Sequence, residues 1–136
     1  MEQQKIPFKK FLPGIAWFFI VAVLTLMPGS DIPKVGWLDS IQNFDKIVHA
    51  GLFGGLTFLF SLPYFKINFS FVQKRNYLIR ISLAAIIWGI TVEFIQRYIP
   101  GRDFDLLDWA ADSAGVLIAY WICIKIMKHF SGNYLQ

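Results

Sequence analysis

The sequence holds a single cysteine, Cys123, so an intrachain disulfide and any cysteine-based metal cluster are excluded. Set in an apolar stretch, it reads as a buried packing residue. Histidine is almost as scarce, with two in the chain, which counts against a zinc site of the His-rich kind. Charge is thin as well: Asp, Glu, Lys and Arg make up 16% of the residues, few enough for each to need a reason. No internal repeat, low-complexity tract or soluble domain is visible. The net charge of +4 does not indicate nucleic acid, because the basic residues flank apolar runs and no RNA-type aromatic motif accompanies them.

What is abundant is apolar. Hydrophobic residues make up 56% of 136, with fourteen Phe and five Trp, too many for an ordinary soluble domain of this length. The expected solvent is a lipid bilayer. From Phe11 to Ser30 there is no charged residue, a run that at about 1.5 Å per residue crosses a hydrocarbon core of roughly 30 Å. Lys5, Lys9 and Lys10 precede it as in a signal peptide, but Met27-Pro28-Gly29-Ser30 lacks a small-x-small cleavage pattern, so the run reads as an uncleaved span. Three further apolar stretches follow. The expected fold is an all-α integral membrane bundle of about four helices, near 11–28, 47–65, 78–99 and 106–126, forming one domain over 1–136.

Lys and Arg in short loops set orientation. With both termini in the cytoplasm, Lys5, Lys9, Lys10, Lys66, Lys74, Arg75, Arg80, Lys125 and Lys128 lie inside, and only Lys34, Lys46, Arg97 and Arg102 outside. Every acid except Glu2 falls on the outer side: Asp31, Asp39, Asp45, Glu93, Asp103, Asp105, Asp108 and Asp112. The expected location is the cell membrane, multi-pass, with the polar residues facing the extracytoplasmic side. Small residues four apart (Gly51 and Gly55, Ala85 and Gly89, Ala111, Gly115 and Ala119) allow helices two, three and four to approach closely. Trp17, Trp37, Trp88, Trp109 and Trp121 read as packing or interface residues.

The charges that interrupt the spans are the candidates for function, since ionisable groups in lipid cost several kcal/mol unless paired or hydrated. Asp45 and His49 are four apart and share a helix face, with Lys46 turned off it. On that face Asp45 can orient the imidazole. Glu93 and Gln96 share a face of helix three, while Asp105, Asp108 and Asp112 step along one face of helix four. Glu93 and Asp112 both fall about 9 Å or less below the outer interface by residue count. Arg102, on the short connector Pro100-Gly101-Arg102-Asp103, is expected above them as a basic lid. The candidate binding set is therefore Asp45, His49, Glu93, Gln96, Arg102, Asp105, Asp108 and Asp112. His49 and Glu93 are the candidate general bases. No cofactor is expected, but a hard divalent cation on Asp45, Glu93, Asp108 and Asp112 stays open, because such ions prefer carboxylates. Against this stand plainer roles: His49 closing a hydrogen-bond network, Glu93 paired with His49 or Arg102, Arg102 as an anchor or bridged to Asp103 or Asp105, and Lys46 and Arg97 snorkelling.

Two signatures, taken together, resemble the VanZ-like membrane proteins over most of the chain. One is Asp45-Lys46-Ile47-Val48-His49 followed by Phe53. The other is Gly89-Ile90-Thr91-Val92-Glu93-Phe94-Ile95-Gln96 followed by Pro100-Gly101-Arg102, Asp108 and Gly115. The family's usual pattern has Asn four residues after the helix-four Asp, where this chain has Asp112. The resemblance implies a multi-spanning helical membrane protein and, for the founding member, reduced susceptibility to a lipid-tailed glycopeptide of the teicoplanin type. It supplies no established reaction. Three readings follow. The first is a binding or resistance factor that engages lipid-linked envelope material or a lipoglycopeptide in an outer-leaflet pocket. The second is a small intramembrane enzyme acting on a lipid head group or cell-wall precursor. The third, proton-coupled transport, needs an oligomer, because nothing polar crosses the inner half.

Overall fold

A computed structural model describes residues 5–31, 36 and 42–132, leaving Glu2, Lys34, Trp37 and Asp39 outside the described residues. Four α-helices run α1 Leu12–Leu26, α2 Phe44–Phe65, α3 Phe71–Gln96 and α4 Leu106–Gly132. One-turn 3-10 helices stand at Phe8–Phe11 and Gly29–Asp31, and no strand occurs among the described residues. All four helices are long and apolar enough to cross a membrane. Successive helices run antiparallel, so the end of α1, the start of α2, the end of α3 and the start of α4 meet at one end of the bundle.

Three helices reach beyond the limits read from the sequence, α2 by starting at Phe44 rather than near Ile47. Helix α3 starts at Phe71 rather than near Leu78, because Ser70 and Gln73 form a capping box: the Ser70 hydroxyl accepts from the Gln73 N–H, and the Gln73 side chain accepts from the Ser70 N–H. These reciprocal bonds satisfy two donors at the helix start. Lys74 and Arg75, expected in a loop, are therefore helical. Lys74 is fully buried and donates to the Phe65 carbonyl, closing the C-terminal end of α2, where a cation also suits the helix dipole. Helix α4 continues past Ile126 to Gly132.

The core follows from lipid being the solvent. Val21, Phe53, Val92 and Val116 are fully buried at one level, and Leu78, Cys123 and Met127 at another. Phe19, Val23, Ile87, Leu83, Leu117, Ile118 and Trp121 are each more than half exposed, as side chains facing acyl tails must be. Four hydroxyls within the spans turn back on their own helix: Thr25 donates to Val21, Thr57 to Phe53, Ser61 to Thr57 and Thr91 to Ile87. Two indoles instead cross between helices, Trp17 Nε1 to the Leu52 carbonyl at 2.9 Å and Trp109 Nε1 to that of Ile86 at 3.1 Å. Both tryptophans are thus bonded across helix interfaces, beyond simple packing.

Helices α2 and α4 share the most extensive contact, and α3 lies on α4. The residues permitting it differ in part from the expected four-residue stripe. A side chain at Gly115 would overlap the Ala50 carbonyl, and one at Gly54 would reach 2.9 Å from the Gly115 carbonyl oxygen. Gly51 meets nothing within 4 Å, and Gly55 lies against the Trp17 ring. Gly54, not Gly51, is therefore the α2 contribution to the close crossing. Gly115→Ala is expected to lower the thermal midpoint in detergent, a loss of about 1–3 kcal/mol from overpacking. Gly51→Ala should leave it unchanged or raise it, because removing a helix-interior glycine into open space gains up to about 1 kcal/mol. A thermal melt of the two variants beside the parent checks both.

Candidate functional site

At the end where α2 and α4 begin and α3 finishes, the bundle gathers its polar side chains in two layers. The upper layer is built on Lys46. Its ammonium donates to Asp105 Oδ2 at 2.6 Å, Asp108 Oδ1 at 2.5 Å and Asp45 Oδ2 at 3.0 Å. Lys46 is the residue that sequence reasoning turned away from the site: helix-face geometry on α2 alone put it opposite Asp45 and His49, whereas its acceptors come from α4. Asp105 uses both oxygens, since Oδ1 also accepts from the Leu107 N–H at 2.8 Å, capping the start of α4. The Lys46 ammonium, followed by the Leu107 amide, holds the Asp105 carboxyl below the usual carboxylate range.

The lower layer is buried. His49 is 6% exposed, and Glu93 and Asp112 are fully buried. His49 Nδ1 lies 2.9 Å from Asp112 Oδ1, which joins α2 to α4, and His49 Nε2 is 3.9 Å from Asp108 Oδ2. The imidazole partner is thus Asp112 and not Asp45, which is exposed and bonded to Lys46. Glu93 Oε2 accepts from the Asp105 backbone N–H at 2.9 Å, tying the end of α3 to the turn before α4. Neither His49 nor Arg102 hydrogen-bonds Glu93 among the described residues.

Two predicted members lie elsewhere. Gln96 is buried and donates to the Thr25 carbonyl at 2.7 Å. Arg102 donates to the carbonyls of Leu24, Thr25 and Met27. Both therefore close the C-terminal end of α1, whose last carbonyls have no partner within the helix, and the guanidinium also complements the helix dipole there. Arg102 is a stop for α1 and not a lid over the acids. A backbone bond from the Gly29 N–H to the Pro100 carbonyl at 3.1 Å fixes the connector beside it, with Gly101 at φ +73°, where glycine carries no steric penalty. Asp45, His49, Glu93, Asp105, Asp108 and Asp112 are brought to one end of α2 and α4; Gln96 and Arg102 are turned to α1.

Below the upper layer an apolar groove of about 460 Å³ runs between α2 and α4, lined by Ile47, Ala50, Gly51, Phe58, Ile118 and Ile122 among others. It begins one residue after Lys46. Buried ionisable side chains beneath, a carboxylate-rich rim above and an apolar groove at its side define a polytopic helical membrane protein with a polar end. The chain belongs to the VanZ-like family: the family model described as VanZ/LLP1 matches residues 4–128. No curated protein and no solved structure matches it.

Lys46→Met removes the shared cation and leaves the largely buried Asp108 without its counter-charge, an expected loss of about 1–3 kcal/mol at neutral pH. Asp105 titrates lower in the folded chain than in the unfolded one, so its share is complete above the ordinary carboxylate value of about 4 and is lost as pH falls through the lower folded value. Melts of parent and variant should differ at pH 7 and converge as the acid limit is approached.

Proposed function

We propose that this VanZ-like protein sits in the cytoplasmic membrane with both termini inside and its polar end at the outer leaflet. There it binds a lipid-anchored, polar-headed molecule of the cell envelope, such as a lipid-linked wall precursor or a lipid-tailed glycopeptide. The observation that carries this reading is the adjacency of the carboxylate rim and the apolar groove. Asp45 and Asp105 expose much of their side chains, 60% and 41%, and an ionised carboxylate only accepts hydrogen bonds. The rim therefore suits a head group rich in hydroxyls or amines. The groove suits a single acyl or prenyl chain alongside. The orientation draws support from the distribution of Lys and Arg, which favours the opposite end, where Lys9, Lys10, Lys66, Lys74, Arg75, Lys125 and Lys128 lie.

A second reading, an intramembrane enzyme acting on the same head group, is favoured by one contact. His49 hydrogen-bonded to Asp112 has the arrangement of an oriented general base. Glu93 stands beside it.

Gly51→Leu separates binding from folding, because Gly51 lines the groove and a Cβ built there meets no atom within 4 Å. Native mass spectrometry of protein extracted in mild detergent, offered a lipid-linked wall precursor or teicoplanin, should show a bound molecule on the parent. Gly51→Leu, with an unchanged or higher melt, should bind at least roughly tenfold more weakly, a difference of about 1.4 kcal/mol. Equal binding by the two would sink the groove as the chain site. Release of a cleaved head group, dependent on His49, would favour the enzyme.

A further inference from the structure

The lower polar layer contains two oxygens that the fold leaves without a partner. Glu93 Oε1 and Asp112 Oδ2 are buried and accept no hydrogen bond among the described residues, though each carboxylate is held firmly by its other oxygen, Glu93 by the Asp105 amide and Asp112 by His49. An unpartnered carboxylate oxygen in a lipid-embedded bundle is costly, far more so than in water. Helix α3 closes over it at Gly89, where a Cβ would come within 3.0 Å of Asp112 Oδ2. One donor atom from each of His49, Glu93 and Asp112 lies within 4.8 Å of the others. Ligands on one ion with bonds of about 2.1 Å stand roughly 3–3.5 Å apart, so small side-chain rotations bring the three to coordinating range.

We propose that His49, Glu93 and Asp112 bind one divalent transition-metal ion of the Mn²⁺ or Zn²⁺ kind. Charge accounts for the valence, because two buried carboxylates and a neutral imidazole are balanced by a doubly charged ion, whereas a histidinium alone balances only one of them. Donor chemistry accounts for the kind: an imidazole nitrogen suits Zn²⁺, carboxylates suit Mn²⁺, and one nitrogen with two oxygens falls between the His-rich sites of zinc and the all-oxygen cages of Mg²⁺ and Ca²⁺. This donor set is not the all-carboxylate one that spacing pointed to. Asp45 and Asp108 are engaged by Lys46, and His49 takes their place. The proposal does not rest on the lipid reading; the ion would join α2, α3 and α4 whether or not a lipid binds above it.

The test uses the whole chain, purified in detergent, stripped with EDTA and then exposed to Mn²⁺, Zn²⁺, Mg²⁺ or Ca²⁺. Elemental analysis after desalting, the electron paramagnetic resonance signal of Mn²⁺ and the thermal midpoint are read on the same samples. About one Mn²⁺ or Zn²⁺ per chain should be retained, with an upward shift of the midpoint. Glu93→Gln and Asp112→Asn should bind at least roughly tenfold more weakly, and Asp103→Asn, on the exposed connector, should bind as the parent does. No retained Mn²⁺ or Zn²⁺ on the unaltered chain overturns the proposal, as does retention lost equally in Asp103→Asn. Because the first reading needs no variant, a misfolded substitution cannot rescue it. Bound lipid without bound metal overturns this site alone, and bound metal without lipid overturns only the groove.

Discussion

An ionisable side chain inside a lipid-embedded bundle has to be met by another polar group, and the bond between His49 and Asp112 is where that requirement shapes the rest of the molecule. It can form only if α2 and α4 come close, which the bare backbones at Gly54 and Gly115 allow. Once formed, it sets the rotation of both helices. That rotation delivers Lys46 to Asp108 and Asp105 above, and it presents Asp112 to α3 at the level of Glu93 and Gly89. Glu93 in turn grips the first turn of α4 through the Asp105 amide. Each contact thus presupposes the one beneath it.

The same requirement governs helix ends. The final carbonyls of a helix have no internal partner, and here side chains from neighbouring elements supply one: Arg102 and Gln96 for α1, Lys74 for α2. Two of the three are cations, which the negative end of a helix favours. With Arg102 engaged by α1 at the same end of the bundle, the rim at the starts of α2 and α4 keeps an excess of acceptors, Asp45 and Asp105 in particular.

The four apolar runs, and the gathering of acids at one end of them, could be read directly because both depend on composition over a span of twenty or so residues. The finer geometry depended on tertiary rotation. Four-residue spacing marks Gly51 and Gly55 as readily as any other pair, and only the crossing with α4 selects Gly54. Lys46 was set aside because neighbouring residues point to different faces of one helix; its acceptors belong to another. Arg102 was matched to the nearest acids in sequence, whereas the free carbonyls of α1 were invisible until the connector was folded over them. Charges at Lys74 and Arg75 disguised the first turns of α3, though Ser70 and Gln73 carried the capping signal that reveals them. Asp112, in place of the Asn of the usual family pattern, was legible as an extra acid, but its role as the partner of His49 was not.

Whether the polar end faces out of the cell, as proposed, is tested most directly by site-directed labelling. In a Cys123→Ser background, a cysteine placed at Asp103, on the exposed connector before α4, should react with a membrane-impermeant maleimide added to intact cells. One placed at Lys128, near the other end of α4, should react only after the membrane is opened. The reverse pattern would put the carboxylate rim in the cytoplasm and contradict binding of any ligand from the outer leaflet.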